Sequence, residues 1–290
     1  MKQANILITG ATGHIGTTLA KHLSSQGIPF RAMVRKADNN TGIIAALPGA
    51  EIVTGDFNDA GSLAHALQGM GKAFLLTNSS EEAETLQSNF VAAAVKSGLP
   101  HIVKLSQLHA SVHSPVRFLR YHAVVEEKIR RSGMAYTFLR PNLFMQGLLG
   151  FREIINTQHQ FFATAGNAPV SLVDTRDIAA VAAATLTGNG HSGKTYDITG
   201  PEALTHTALA NILSEAVGRT IRYINVTENE LLPALLHAGF PAWQAEGLIE
   251  DYAHYARGEA AAISSTVQDI TGKPARNFAS FAAEHAAAFS

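Results

Sequence analysis

Asn5-Ile6-Leu7-Ile8-Thr9 is a short apolar run that passes directly into Gly10-Ala11-Thr12-Gly13-His14-Ile15-Gly16, after which Leu19, Ala20 and Leu23 recur at helical spacing. A buried strand, a glycine turn and a helix start in that order make a seat for a pyrophosphate. The first N–H groups of the helix have no carbonyl partner, and its dipole favours negative charge. Gly10 allows the turn, Gly13 lets the backbone approach the phosphates, and Gly16 lets the helix pack close on the strand. Thr12, His14 and Ile15 complete the seat. Glycines also mark ordinary turns; the strand before and the helix after raise this triplet above that reading.

Outward from the turn, the strand and helix patterns keep alternating. Phe30-Arg31-Ala32-Met33-Val34, Glu51-Ile52-Val53-Thr54, Lys72-Ala73-Phe74-Leu75-Leu76, His101-Ile102-Val103-Lys104-Leu105 and Tyr136-Thr137-Phe138-Leu139-Arg140 read as strands. Helical stretches over 62–67, 81–97 and 116–132 lie between them, the last two closed by Gly98 and Gly133. Such alternation predicts α/β architecture, a Rossmann-type doubly wound parallel sheet, with ligands at the carboxyl ends of the strands. Beyond residue 141 the pattern changes. A helical stretch over 142–156, short strands at Phe161-Phe162 and Ser171-Leu172-Val173, and helices over 205–217, 227–238 and 243–256 predict a smaller C-terminal α+β region that caps the substrate. The expected division is 1–141, completed by about 174–200, for the nucleotide-binding domain, with 142–173 and 201–290 as the cap. Asp174 and Asp177 read as caps of the helix they begin.

The bulk composition excludes several classes. The 290 residues carry 22 basic and 23 acidic side chains, well mixed, with a net charge of −1, so no basic stripe points to nucleic acid. There is no cysteine, which removes disulfides, zinc–thiolate sites and thiolate nucleophiles. His109 and His113 have ligand-like spacing but lack helix and carboxylate context, so no metal site is expected. The N-terminal apolar stretch ends at Gly10 without the form of a signal peptide, and the apolar run over 178–186 is far short of the ~20 residues that span a bilayer. The expectation is a cytoplasmic protein, away from membranes.

After the second strand comes Arg35, where a cofactor with a free ribose 2′-hydroxyl would be held by an acid. A guanidinium fork suits a 2′-phosphate instead, so NADP(H) is expected over NAD(H). The polar loop Thr77-Asn78-Ser79-Ser80 follows the fourth strand, where the nicotinamide ribose would lie. Thr77 and Asn78 are its cofactor candidates, since Ser80 reads as a helix start.

The G-x-x-G-x-x-G spacing resembles the short-chain dehydrogenase/reductase superfamily. That resemblance implies an adenine clamp at Asp56 and Phe57 after the third strand, although Asp56, Asn58 or Asp59 could equally cap the next helix. It also places Ser106 and Gln107 near the reactive ring, with Gln107 at the position where a catalytic Ser or Thr is often found. No tyrosine has lysine four residues later, so the superfamily's usual proton-exchanging pair is missing. The stretch from Phe118 to Asn142, together with Val173-Asp174-Thr175-Arg176-Asp177 and Gly193-Lys194-Thr195-Tyr196-Asp197, is similar to the NmrA-like atypical branch, which includes quinone and dye reductases and redox-sensing regulators. His122 falls where related reductases keep a catalytic lysine. It is read either as a proton donor and cofactor contact or as a partly buried structural histidine paired with Glu126 one turn on.

The resemblance implies hydride transfer from NADPH to a small apolar or aromatic acceptor such as a quinone, enone, dye or carbonyl compound. Asn142, Phe144, Met145 and Trp243 would line its pocket, in a monomer or homodimer. A non-catalytic NADP(H)-binding regulator is the alternative; a sugar-nucleotide epimerase suffers from the missing tyrosine–lysine pair.

Overall fold

A computed structural model describes residues 4–36 and 39–290. The chain divides into two compact units. The first comprises Met1–His113, Leu119–Arg140 and Ile178–Tyr196, and the second comprises Ser114–Phe118, Pro141–Asp177 and Asp197–Ser290.

The first unit is built on β1 (Ile6–Ile8), β2 (Phe30–Val34), β3 (Ala50–Thr54), β4 (Lys72–Leu75), β5 (His101–Leu105), β6 (Ala135–Pro141) and β8 (Lys194–Ile198). They form one sheet in the order β3-β2-β1-β4-β5-β6-β8, and the pairs from β3 across to β6 are parallel. Parallel neighbours require crossover helices: α1 (His14–Ser25), α2 (Asn39–Ala45), α3 (Ala60–Leu67), α4 (Ala83–Lys96) and α5 (Arg117–Arg131). Helices on the faces leave the strands buried on both sides, which is why β1 is apolar at every position and buried throughout. Leu7, Met33, Leu75, Phe90, Val125 and Phe138 belong to one apolar core.

The chain runs outward in one direction from β1 to β2 and β3, and in the other from β4 to β5 and β6. The order reverses beside β1, at whose carboxyl end the glycine turn stands, and such a switch point is where open α/β sheets place ligands. Thr9 fixes this end. It is fully buried, its hydroxyl lies 3.1 Å from the Phe74 carbonyl and 3.0 Å from that of Leu76, and it accepts the Leu76 N–H at 2.9 Å.

The second unit pairs β7 (Gln160–Ala163) with β9 (Arg222–Asn225) in parallel. Its helices include α6 (Arg152–Gln158), α8 (His206–Val217), α9 (Glu228–His237), α10 (Ala242–Ala256), α11 (Thr266–Thr271) and α12 (Phe278–Glu284). Phe161, Leu209, Leu213, Phe278 and Phe281 form its core. α7 (Thr175–Thr187) starts in this unit and ends in the first, and the first residues of α5 and the last of β6 and β8 also belong to the second unit.

The sequence expectation fails in three places here. The helical spacing over 142–156 is realised as a 3₁₀ helix, Met145–Phe151, followed by α6; Gly147 and Gly150 weaken α-helix over that turn. Residues 171–173 form only isolated bridges around them, Phe144 with Val173 and Val170 with Leu204, because Ser171 gives its N–H to Ala260 and its hydroxyl to the Ala262 carbonyl. Asp174 does cap α7, accepting the Arg176 N–H at 2.8 Å. Asp177, however, does not cap: its carboxylate accepts the backbone N–H of Arg276 at 2.7 Å and ion-pairs with that residue's guanidinium.

Gly16 shows why α1 begins where it does. A Cβ there would sit 2.1 Å from the Gly10 carbonyl oxygen and 2.7 Å from the Ala11 Cα, both backbone atoms that have no rotamer by which to yield. Gly16→Ala should therefore lower stability by about 1–3 kcal/mol, the usual cost of overpacking, measured by urea unfolding. Wild-type stability in that variant would show that the helix can lift from the turn.

Candidate functional site

The glycine turn is a tight backbone structure with one open side. Gly10 has φ +61, the left-handed region that glycine enters without strain. The Gly13 N–H donates back to the Gly10 carbonyl at 3.1 Å, and Gly13 in turn accepts from Thr17 N–H at 2.8 Å. The Thr17 hydroxyl donates to the Ala11 carbonyl at 3.1 Å. Gly13 itself has an ordinary extended backbone, φ −80 and ψ 172. A Cβ at Gly13 would meet one protein atom within 4 Å, the Gly10 oxygen at 3.5 Å.

The protein's own packing therefore does not demand glycine at position 13, so what would demand it is a group arriving from outside. α1 carries no side-chain cap at Gly13 and no acid in its first turn. The N–H groups there and the positive end of the dipole suit an anion. Thr12 is half-buried and His14 exposed beside the turn, while Ile15 packs into the core.

The other nucleotide candidates lie at carboxyl ends of strands in the same unit. Arg35 is exposed directly after β2. Asp56 is exposed after β3, and its Oδ1 accepts the Asn58 N–H at 2.8 Å. The cap of α3 is Asp59, which accepts from the Gly61 and Ser62 N–H groups. Phe57 packs on the core with its ring 5.8 Å from that of Phe90. After β4, Thr77 Oγ1 accepts from the Gln87 amide at 2.8 Å, and Asn78 is exposed. Gln107 is half-buried after β5.

Ser106 and His122 belong to a buried polar network that the sequence reading did not assemble. Glu126 on α5 is fully buried. It accepts the Ser106 hydroxyl at 2.6 Å, Arg140 Nε at 2.9 Å and Nη2 at 2.6 Å, and Arg130 Nη2 at 2.8 Å. Glu126 is therefore not the partner of His122, as one-turn spacing suggested; two guanidinium groups and a hydroxyl occupy its oxygens.

The partner is Lys104 of β5, whose Nζ lies 2.7 Å from His122 Nδ1 and 3.2 Å from the Leu105 carbonyl. The Tyr121 ring lies beside the His122 ring with centroids 4.2 Å apart, and its hydroxyl is 3.1 Å from Ser79 Oγ. A signal for Lys104 was present in the sequence: it is a charge inside a run that otherwise reads as a wholly buried strand.

Burial sets the electrostatics of this network. It pushes the Lys104 ammonium down to about 7; the Glu126 carboxylate opposes that shift and the Arg140 charge adds to it. Burial, then the charges of Lys104 and Arg140, hold the His122 imidazolium well below its ordinary 6.5. His122 is thus neutral near pH 7, not poised to titrate there. For Glu126, burial favours the neutral acid, but the hydrogen bonds from Arg140 and Ser106 and the nearby positive charges outweigh it and lower its pKa.

The residues expected to line a substrate pocket lie in the second unit and divide by packing. Asn142 is buried, and its amide donates to Ser171 Oγ at 2.9 Å and to the Ala260 carbonyl at 2.8 Å. Met145 is 1 % exposed within the apolar core. These two support the unit from inside. Phe144 and Trp243 are half-buried, and Trp243 lies 5.4 Å from the Phe118 ring and 5.6 Å from the Arg117 guanidinium.

Removing Glu126 would leave Arg130, 38 % exposed, and Arg140, 21 % exposed, without their carboxylate; solvent reaches both, so the loss is ~2–3 kcal/mol, below that of a wholly buried pair. Glu126→Ala should lose that much stability at pH 7 in urea unfolding. Because the folded carboxyl titrates below its ordinary 4.5, its contribution is complete above about that pH and is lost on acidification below it. The variant's stability should accordingly fall less between pH 5 and pH 3 than that of wild type. Equal acid slopes would show that the carboxylate contributes nothing.

Comparison with known proteins places the chain. The model of the NmrA-like family matches residues 2–275. The NAD(P)H azoreductase of Xenophilus azovorans is 36 % identical over 98 % of this chain and 99 % of its own. The (4-alkanoyl-5-oxo-2,5-dihydrofuran-3-yl)methyl phosphate reductase of Streptomyces griseus is 37 % identical over 98 % of this chain and 99 % of its own. The crystal structure of the Escherichia coli NADPH-dependent quinone oxidoreductase complexed with NADPH superposes with a TM-score of 0.88 at 29 % identity, covering 96 % of this chain and 99 % of that one. The switch-point glycine turn, the parallel sheet and the family match over nearly the whole length agree, and the chain belongs to the NmrA-like family of atypical short-chain dehydrogenases/reductases.

Proposed function

We propose that this chain is an NADPH-dependent reductase that passes hydride to a small acceptor of the quinone, enone, dye or carbonyl type. The observation that carries the reading is Gly13, a glycine that the fold does not need, at an uncapped helix start on the switch point of the sheet. An azoreductase, a second reductase and a quinone oxidoreductase among its relatives support the same chemistry.

The residues fit the cofactor. The N–H groups at the start of α1, in the turn formed by Gly10, Thr12, Gly13, His14, Ile15 and Gly16, hold the pyrophosphate. Arg35 grips the 2′-phosphate through charge-assisted hydrogen bonds. Asp56, beside Phe57, would accept from the adenine amine. Thr77, Asn78, Ser106 and Gln107 would bound the nicotinamide ribose; the Ser106 hydroxyl donates to Glu126 at 2.6 Å. When bound, NADPH supplies the hydride, so the protein's task is to orient the acceptor, exclude water and deliver a proton.

His122 is the residue assigned to proton delivery. Phe144 and Trp243 would offer the acceptor apolar, aromatic surface, while Asn142 and Met145 act from inside the second unit. Among the described residues no helix is long and apolar enough to cross a membrane. Our reading is a cytoplasmic protein that works on a small molecule as a monomer or homodimer.

Steady NADPH consumption on a panel of quinones, azo dyes and enones tests the activity. Binding of NADPH without consumption on any of them would overturn it and leave the regulator. Arg35 predicts that NADPH binds about tenfold or more tightly than NADH, since a charge-assisted contact is worth ~1.5–3 kcal/mol. Arg35→Ala should narrow that gap in calorimetry, and equal affinities in wild type would remove Arg35 from the site. Gly13→Val should still fold, because its Cβ meets little protein, at the modest cost of a branched residue at the N-cap of α1, yet abolish NADPH binding. Undiminished binding to that folded variant would mean that the turn is not the seat.

A further inference from the structure

Lys104 has no part in the function described so far. It is wholly buried in the middle of the sheet, where an ammonium is costly unless the surroundings use it. Its Nζ reaches His122 Nδ1 at 2.7 Å and the Leu105 carbonyl at 3.2 Å. An ammonium has no lone pair, so in this contact Nδ1 must accept, and the single ring proton of a neutral His122 must then sit on Nε2. The groups that face the pair are Glu126 and Tyr121 from α5 and Arg140 from β6.

We propose that Lys104 is a positioning residue for His122: it fixes the Nε2–H tautomer and returns a proton to Nδ1 as the Nε2 proton leaves for the reduced acceptor. This rests on the reductase reading and on His122 as the proton donor. A neutral imidazole is a very weak acid on its own. It becomes an effective donor only if its other nitrogen gains a proton as the first departs.

Here the Nε2–H bond breaks and an O–H or N–H bond forms on the acceptor anion left by hydride addition. The Lys104 Nζ–H bond breaks and an Nδ1–H bond forms. The ring stays neutral throughout and the ammonium becomes an amine; the cycle closes when Nε2 takes a proton from solvent and Nδ1–H passes its proton back to the buried Lys104 amine. The electrostatics agree. Burial and the adjacent charges hold the imidazolium well below its usual range, closing the route through a charged ring, while Lys104 is brought down to about 7 and can release a proton near neutral pH. A pH dependence near neutrality therefore belongs to Lys104. Its protonated form is the working one, so turnover falls as pH rises through about 7.

The first test needs no cofactor and no acceptor: histidine nitrogen-15 NMR of the whole wild-type protein between about pH 5 and about pH 9. The expected spectrum shows a neutral His122 with its proton on Nε2 below pH 7, no titration at the ordinary 6.5, and a change at Nδ1 as Lys104 deprotonates. An Nδ1–H tautomer below pH 7, or titration of His122 near 6.5, overturns the proposal even if the enzyme turns over well.

Lys104→Met, which keeps the length but neither the charge nor the donor, supplies the second. Acceptor reduction should fall roughly tenfold or more, below the ~100-fold expected for loss of a general acid itself, and the inflection near pH 7 should vanish. Unchanged turnover with the inflection intact overturns the proposal. If that variant does not fold, the wild-type spectrum decides alone. If the wild type consumes no NADPH with any acceptor, the reductase reading falls and takes the proton-return step with it, while the tautomer is still settled by the spectrum.

Discussion

The carbonyl oxygen of Gly10 occupies the place that a side chain on the first turn of α1 would need, 2.1 Å from an ideal Cβ on Gly16. That close approach seats the helix on the turn and aims its N-terminus at the reversal in strand order beside β1. With Thr9 tying the end of β1 to β4, the backbone of the turn is held from both sides. An anion arriving there meets N–H groups already in place, so little ordering is left to be done on binding. The three glycines thus divide their labour. Gly10 supplies the left-handed turn, Gly16 the helix contact, and Gly13 an opening that the protein itself does not fill.

The same unit holds a second constraint of a different kind. Glu126, with Ser106, Arg140 and Arg130, neutralises charge inside a sheet-and-helix core. Lys104 and His122 lie against that network. Such groups are expensive to bury and gain their value from being fully partnered. The network joins β5, α5 and β6 by polar contacts where the rest of the unit relies on apolar packing. It also gives His122 properties that a histidine on an open surface would lack.

Much of the fold was legible because strand period, glycine punctuation and apolar runs are local signals. The parallel sheet, five of the strands after β1, and helices such as α5 and α8 follow from them. The glycine turn was legible for the same reason, since its strand, turn and helix are contiguous. Pairings between distant residues were not. The one-turn spacing of His122 and Glu126 suggested a pair, whereas Glu126 is claimed by Arg140, fourteen positions on, and by Ser106, twenty positions back. The short 3₁₀ helix in place of a longer α-helix reflects Gly147 and Gly150, whose effect on helical spacing a count of apolar positions does not register. Asn142 and Met145 carry side chains that suit a pocket, and only the packing shows that their atoms are engaged inside the second unit.

The claim on which the account depends is that the open N-terminus of α1 receives the pyrophosphate of NADP(H). Backbone amide NMR during titration of the wild-type protein with NADP⁺ reads those groups individually. The account predicts that the largest shifts fall on the amides of Gly13, His14, Ile15 and Gly16, with Arg35 perturbed at the end of β2. Saturable binding that leaves these amides unmoved would contradict it.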